Sequence, residues 1–355
     1  MSFSTQELIP VLPELVLLSA ASVVLLIDLF TPGKERGATH LWSLVALAVT
    51  ALTLVYSYSG PQQVLGNHYQ SDGLALVLKL AMVIGLAAVF IYGRSYLLVR
   101  GLLSGEFYTL SLFALLGMMI IASGGSLLTL YLGLETLSLS LYALVGFDRR
   151  SVASSEAAIK YFILGALASG MLLYGISIIY GVTGSLITGI VQAEIGAVLA
   201  TAAEYQLLLG LGLVFVVVGA AFKLGAAPFH MWLPDIYQGS PTAITNIIAT
   251  VSKLAAIALV LRLFADTLQP LIAQWQQMVL LLVVVSLAVG NVIAIAQTNI
   301  KRMLGYSAIS HMGFVLLGVL AGSKAGYSAA LFYMLTYALT GLAAFGMVMI
   351  LSRNG

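Results

Sequence analysis

The sequence predicts an all-α polytopic membrane protein of about eleven transmembrane helices, and three observations predict it. Of its 355 residues, 61% are apolar and only 8% charged. A soluble domain carries about 25% charged residues, so the charges here are too few to cover a water-soluble fold of this size. The apolar residues also fall into runs of about the 20 residues that cross a bilayer, separated by Gly, Pro and charge. Lysine and arginine, finally, are concentrated in alternate loops.

The runs place spans at residues 8–30, 41–59, 74–93, 107–123, 127–147, 157–180, 207–227, 242–265, 276–296, 303–321 and 326–351. The first, ELIPVLPELVLLSAASVVLLIDLF, holds Glu7, Glu14 and Asp28 and no Lys or Arg. An export signal opens with a cationic region, so this stretch reads as a retained first span. The long connection 181–206, with Glu194 and Glu204, reads as a loop plus a short amphipathic helix.

With the N-terminus on the periplasmic side, the inner loops hold Lys34, Arg36, Arg94, Arg100, Arg149, Arg150, Lys301 and Arg302, and Arg353 lies at the inner end. The outer loops hold only Arg262 and Lys324. That bias orients the chain in a bacterial inner membrane and puts residue 355 on the cytoplasmic side. Composition excludes other chemistries. With no cysteine there is no disulfide framework and no thiolate-held iron–sulfur cluster. A net charge of +2 without a basic tract gives no surface for nucleic acid, and no metal-ligand cluster is evident.

Four lysines and one glutamate fall inside the spans: Lys79, Glu135, Lys160, Lys223 and Lys253. Each costs at least about 2.5–3.5 kcal/mol at mid-bilayer. Snorkelling to an interface is open to Lys79, about a turn inside its span, but not to the short, central side chain of Glu135. Lys223 precedes Gly-Ala-Ala-Pro. Pro228 lacks an N–H and its ring clashes with the preceding turn, which frees the carbonyl of Leu224 and breaks the seventh span. Broken helices survive at membrane depth only where the freed groups face protein or water, so Lys223 is expected to face a hydrated interior.

Lys253 lies twelve residues past Pro241, about 18 Å along a helix at 1.5 Å per residue, which brings it near the midplane. Ser240-Pro241 reads as an N-cap followed by a first-turn proline. His40 and His68 read as loop residues, Asp235 as a local structural partner, and His311 as part of a polar path. Desolvation favours a neutral amine and a nearby carboxylate favours the ammonium. Moving Glu135 toward or away from Lys223 would therefore switch a lysine between holding and releasing a proton. The expected arrangement is a lateral row of Glu135, Lys223, Lys253 and His311, with Glu135 and Lys223 in an ion pair or bridged by one water. A weak internal echo adds to this: EAAIKYFILGALASG in the sixth span and SAALFYMLTYALTGL in the eleventh share five identities, among them Tyr161/Tyr333. The two spans run in opposite directions, as an inverted repeat would require.

The segments LPELVLL, LYLGLETLSLSLYALVGF, EAAIKYFILGALASG, FKLGAAPFHMWLPDIYQGSPT and NIKRMLGYSAISHMGF closely resemble the antiporter-like, proton-translocating subunits of respiratory complex I. Within that family they are most similar to subunit N, the equivalent of mitochondrial NADH dehydrogenase subunit 2. The resemblance implies an antiporter-like fold of two inverted five-helix repeats. It divides the chain into an N-terminal three-helix segment (1–106), a first repeat with a broken seventh helix (107–265) and a second repeat (266–355). Family members usually continue to fourteen spans, so the second repeat is expected to be incomplete here, and a lone copy of this length is not expected to pump.

Carried over by position, Glu135 resembles the family's fifth-helix glutamate, Lys160 its sixth-helix lysine, Lys223 its broken-helix lysine, Lys253 its eighth-helix lysine and His311 the polar residue of the tenth. The resemblance implies no cofactor in this chain. NAD, FMN, iron–sulfur clusters and quinone belong to partner subunits, and the antiporter-like subunit M and the small subunits K and J are the expected neighbours. A subunit of a cation/proton antiporter is the alternative function, and a purely structural anchor a third.

Overall fold

In the computed structural model, residues 5–31, 33–201 and 203–352 are described; Arg353 and residue 355, assigned above to the inner end, lie outside them. Among the described residues, eleven helices are long and apolar enough to cross a membrane: Leu12–Leu29, Gly37–Ser57, Gly73–Val99, Gly105–Ala122, Leu127–Val145, Val152–Thr183, Gln206–Leu224, Thr242–Thr267, Gln269–Ile295, Ile300–Leu320 and Lys324–Leu351. They match the expected spans in number and order. Several starts are fixed by side-chain caps of the kind that satisfy orphan N–H groups. Asp72 accepts from the N–H of Ala75, Ser126 from Thr129, Ser151 from Ser154, Asn299 from Lys301 and Arg302, and Ser323 from Gly326.

The seventh span ends where the sequence requires a break. Gly225 takes a left-handed φ of 81°, its N–H closes onto the carbonyls of Ala221 and Phe222, and the chain leaves the helix before restarting at Trp232–Gly239. The eighth span does not start on a serine cap. Ser240 turns its hydroxyl back to the carbonyl of Ile236 and to Thr245, and Thr242 is the first helical residue. Two π-helical stretches, Ile247–Val251 and Arg262–Thr267, flank the α-helical segment Ser252–Leu261. This span is buried along nearly its whole length, at the centre of the bundle.

The connection after the sixth span contains the helix Thr188–Thr201, which buries Thr188, Val191 and Ile195 along one stripe. A small antiparallel hairpin, Gln62–Val64 with Tyr69–Ser71, was not apparent in the sequence. It covers the same end of the bundle, where Tyr69 bridges to Gly124 and Ser126 to Ile187.

The two halves share a packing device. A Cβ on Gly117 in the fourth span would lie 2.5 Å from the backbone N of Leu137 in the fifth, and one on Gly290 in the ninth 2.5 Å from the N of Ser310 in the tenth. The partners sit 173 residues apart in both helices (117 to 290, 137 to 310). Only glycine permits so close a crossing, and its recurrence with one offset supports an internal duplication.

Candidate functional site

The fifth span presents Glu135, Ser138 and Tyr142 at i, i+3 and i+7, on one face of the helix. That face meets Lys223 at the end of the seventh span, whose Nζ donates to Ser138 Oγ at 2.5 Å. Glu135 and Lys223 are within electrostatic reach but form no direct ion pair, which corrects the tighter form of the expected contact. Ser138, one helical turn from Glu135, takes the ammonium instead. The hydroxyl in turn donates to the carbonyl of Leu134. Glu135 Oε1 is buried and makes no hydrogen bond to a described residue.

Lys253 is 1% exposed and donates from Nζ to the carbonyl oxygen of Leu224 at 2.6 Å. This carbonyl has no helical partner, because the seventh span ends at Gly225. The same ammonium stands 5.3 Å over the ring of Trp232, whose indole N–H donates to the carbonyl of Phe222. The broken stretch therefore serves both lysines: it ends the helix carrying Lys223 and supplies the acceptor for Lys253. On its other side, the N–H of Ala227 donates to Ser286 Oγ of the ninth span at 2.9 Å. His311 is half-buried, with Nδ1 2.8 Å from the hydroxyl of Tyr333 and its ring beside Tyr337. No hydrogen bond among the described residues joins His311 to Lys253.

Lys160 does not belong to the buried row. Its side chain is 43% exposed and pairs with Glu156 and Asp235, each at 2.8 Å, while Asp235 also takes Arg302 at 2.5 Å. The sixth helix begins at Val152, so Lys160 lies only about two turns inside it and reaches out of the membrane core. Burial works to raise the carboxyl of Asp235, but the hydrogen bonds and charges of Lys160 and Arg302 outweigh it and hold it below the usual carboxylate range. With Glu156 and Gln238 these groups line an open cavity of about 240 Å³.

Three other charged positions differ from the expected ones. Lys79 does not snorkel: it is 3% exposed and pairs at 2.5 Å with Glu14 of the first span, with the hydroxyl of Tyr69 bonded to both. Arg262 is not in a loop, because the eighth span runs on to Thr267. It is 2% exposed, clasps Asp72 with two bonds of 2.8 Å, meets Asp266 at 3.0 Å and donates to the last carbonyl of the fourth span, that of Ala122. His40 lies in the first turn of the second span, beside Tyr108, because that helix starts at Gly37. His68, in the hairpin turn, is bonded to Ser126 as a loop residue.

Comparison with known proteins bears on this arrangement. The family model described as NADH:quinone oxidoreductase/Mrp antiporter, TM, matches residues 124–355. The chain is similar to the NADH-quinone oxidoreductase subunit N of Laribacter hongkongensis, 52% identical over all of this chain and 72% of that protein. A chain in the structure of respiratory complex I from Thermus thermophilus superposes with a TM-score of 0.77 at 36% identity, covering 95% of this chain and 70% of its own length. A chain of the Mrp complex from Dietzia sp. shares the fold at a TM-score of 0.78 but only 19% identity, over 99% of this chain and 65% of that one. The chain belongs to the family of NADH-quinone oxidoreductase subunit N.

Proposed function

We propose that the chain is a proton-translocating membrane subunit of an NADH:quinone oxidoreductase, moving protons through its buried Glu135–Lys223–Lys253 centre while the redox chemistry proceeds in other subunits. The observation that carries this reading is the arrangement at the helix break: two interior lysines, each held by one neutral oxygen, with a carboxylate a turn away. A lysine held by neutral oxygens keeps its proton less firmly than one in a tight ion pair, because opposite charge favours the ammonium. A small movement of Glu135 along the fifth-span face, or of the seventh-span end, then changes the charge felt at Lys223. Moving one charge across 100 mV takes about 2.3 kcal/mol, a change that one ion-pair contact in a partly dry interior can supply.

In this reading Glu135 modulates Lys223, Lys253 receives the proton laterally through the shared broken stretch, and His311 with Tyr333 continues the row. Lys160 and Asp235 stand at the mouth on the cytoplasmic side. Lys253 bonds to the carbonyl of Leu224, the residue after Lys223, a closeness that suits transfer from one lysine to the other. The N-terminus faces the periplasm of a bacterial inner membrane. NAD, FMN, iron–sulfur clusters and quinone are held by partner subunits, in keeping with a chain that has no cysteine to ligate a cluster, and the neighbours are subunits M, K and J. A cation/proton antiporter shares the fold, but the 52% and 36% identities are to complex I proteins.

The test is copurification from the native membrane with mass spectrometry of the partners, followed by proton pumping in the full-length subunit carrying Glu135→Gln. Association with complex I subunits and reduced pumping in an assembled complex are expected. Association with antiporter subunits alone, or normal pumping in the variant, would overturn the reading.

A further inference from the structure

Lys253 is buried without a carboxylate. Among the described residues no Asp or Glu forms an ion pair with it. A lysine ammonium has three N–H donors, and here they meet one oxygen among the described residues, the carbonyl of Leu224. A buried charge that is neither paired nor fully hydrogen-bonded is costly, so another neighbour has to favour the ammonium. That neighbour is the indole ring of Trp232, whose centroid lies 5.3 Å from Nζ, inside the range of about 6 Å over which a π face attracts a cation.

The ring is fixed in that place from several sides. Trp232 opens the helix that follows the break and is 2% exposed. Its indole N–H donates to the carbonyl of Phe222 at 3.0 Å. Its plane stacks on Tyr161 of the sixth span at 4.9 Å, tilted by only 12°, and Phe222 meets it at 5.5 Å. Gly225 keeps the space beside the two groups open, because a Cβ there would lie 3.1 Å from Lys253 Nζ and 3.8 Å from Cζ2 of Trp232. Any apolar side chain of similar bulk would serve the packing. What the indole adds is an electron-rich face turned to the ammonium.

We propose that Trp232 makes Lys253 a proton acceptor: its π face and the Leu224 carbonyl together form a carboxylate-free site for the ammonium. The proposal rests on the proton-translocating reading above and deepens it by naming what receives the charge on the far side of the break. When a proton arrives it joins the Nζ lone pair of the neutral amine, and the new ammonium is held by the carbonyl oxygen and the ring. When the proton moves on, the neutral amine returns and the indole is unchanged. Because both partners are neutral, Lys253 is not locked in a tight ion pair, and the charge it accepts can leave again.

The test replaces Trp232, in the full-length subunit within the assembled complex, by a graded series of ring-fluorinated tryptophans incorporated at that position alone. Fluorine withdraws electrons from the π face while the shape of the ring and its N–H remain, so a purely structural tryptophan predicts parental pumping throughout. Proton uptake per NADH oxidised in inverted membrane vesicles should instead fall step by step, to several-fold below the parent, with NADH oxidation and assembly retained. Trp232→Phe and Trp232→Leu give a second reading: both lose the indole N–H and open similar voids, but only Trp232→Phe keeps a π face, and Trp232→Leu should pump several-fold less. Pumping that ignores fluorination, or that is equal in these two variants, would overturn the role of Trp232. Glu135→Gln in the same assay separates the two claims. Its loss of pumping beside a flat fluorine series would overturn the role of Trp232 alone, whereas parental pumping in Glu135→Gln would overturn the underlying reading.

Discussion

Lys253 donates its ammonium hydrogen to the carbonyl oxygen of Leu224 at 2.6 Å, across 29 residues of sequence. The acceptor is free because the helix ends one residue later, where Gly225 takes a left-handed φ of 81° and turns the chain aside. One glycine turn thus ends the helix of Lys223 and frees the partner of Lys253, tying the two lysines to the same backbone turn.

Replacing that glycine tests the tie. In Gly225→Ala, the left-handed φ is strained and the added methyl would lie 3.1 Å from Lys253 Nζ, so the contact with the Leu224 carbonyl should shift and pumping per NADH should fall while the complex still assembles. Vesicle pumping assays on membranes with matched complex content measure this; an unchanged ratio would show that the carbonyl is not needed by Lys253.

The Glu14–Lys79 pair makes a stability prediction. Both side chains are buried, and removing one partner of a buried pair typically costs about 3–5 kcal/mol because the other is left uncompensated. Lys79→Ala should therefore lower the thermal stability of the subunit far more than the double change Glu14→Leu with Lys79→Met. Equal losses in melting measurements on the purified complex would contradict the pairing.

Arg262 is expected to resist even a conservative change. Its guanidinium serves Asp72, Asp266 and Ala122 together, a fork that a lysine ammonium cannot reproduce. In Arg262→Lys the contact between the start of the third span and the ends of the fourth and eighth should loosen, seen as faster amide exchange around Asp72 and Thr267 than in the parent protein.

Asp235 gives a pH dependence with a definite sign. Its folded-state carboxyl is held below the ordinary value by Lys160 and Arg302, so its contribution is fully present above the unfolded-state value of about 3.9 and is lost as pH falls through the folded-state value. Asp235→Asn should remove that part of the acid sensitivity, leaving a flatter stability curve below about pH 4. An identical acid limb in the variant would show that the pairing contributes nothing.

Much of this architecture was legible in the sequence because the bilayer imposes a length and a polarity on every helix. The same physics marked Lys223, Lys253 and the break at Gly225–Pro228 as interior features. What the sequence could not supply was rotation about the helix axis and partners distant in the chain. The cost of burying two opposite charges suggested a Glu135–Lys223 contact, whereas the rotation of the fifth span puts Ser138 in front of the ammonium. Lys160 counted as an interior charge because its neighbours on the span are apolar, and nothing local shows that its long side chain meets Asp235, 75 residues away. Glu14 and Lys79 lie 65 residues apart, and nothing local announces their meeting. Arg262 was counted with the outer loops because it stands near the end of its span, and nothing local shows that Asp72, 190 residues away, holds it inside.

The central claim is that Lys223 works by releasing a proton, and Lys223→Arg tests it most directly. The guanidinium keeps the charge and can donate to Ser138, but it stays protonated. In inverted vesicles containing the complex with a full-length subunit, the account predicts assembled complex, NADH oxidation that continues, and proton pumping per NADH clearly below that of the parent. Wild-type pumping in Lys223→Arg would mean that a fixed positive charge suffices at this position, and the account would be wrong.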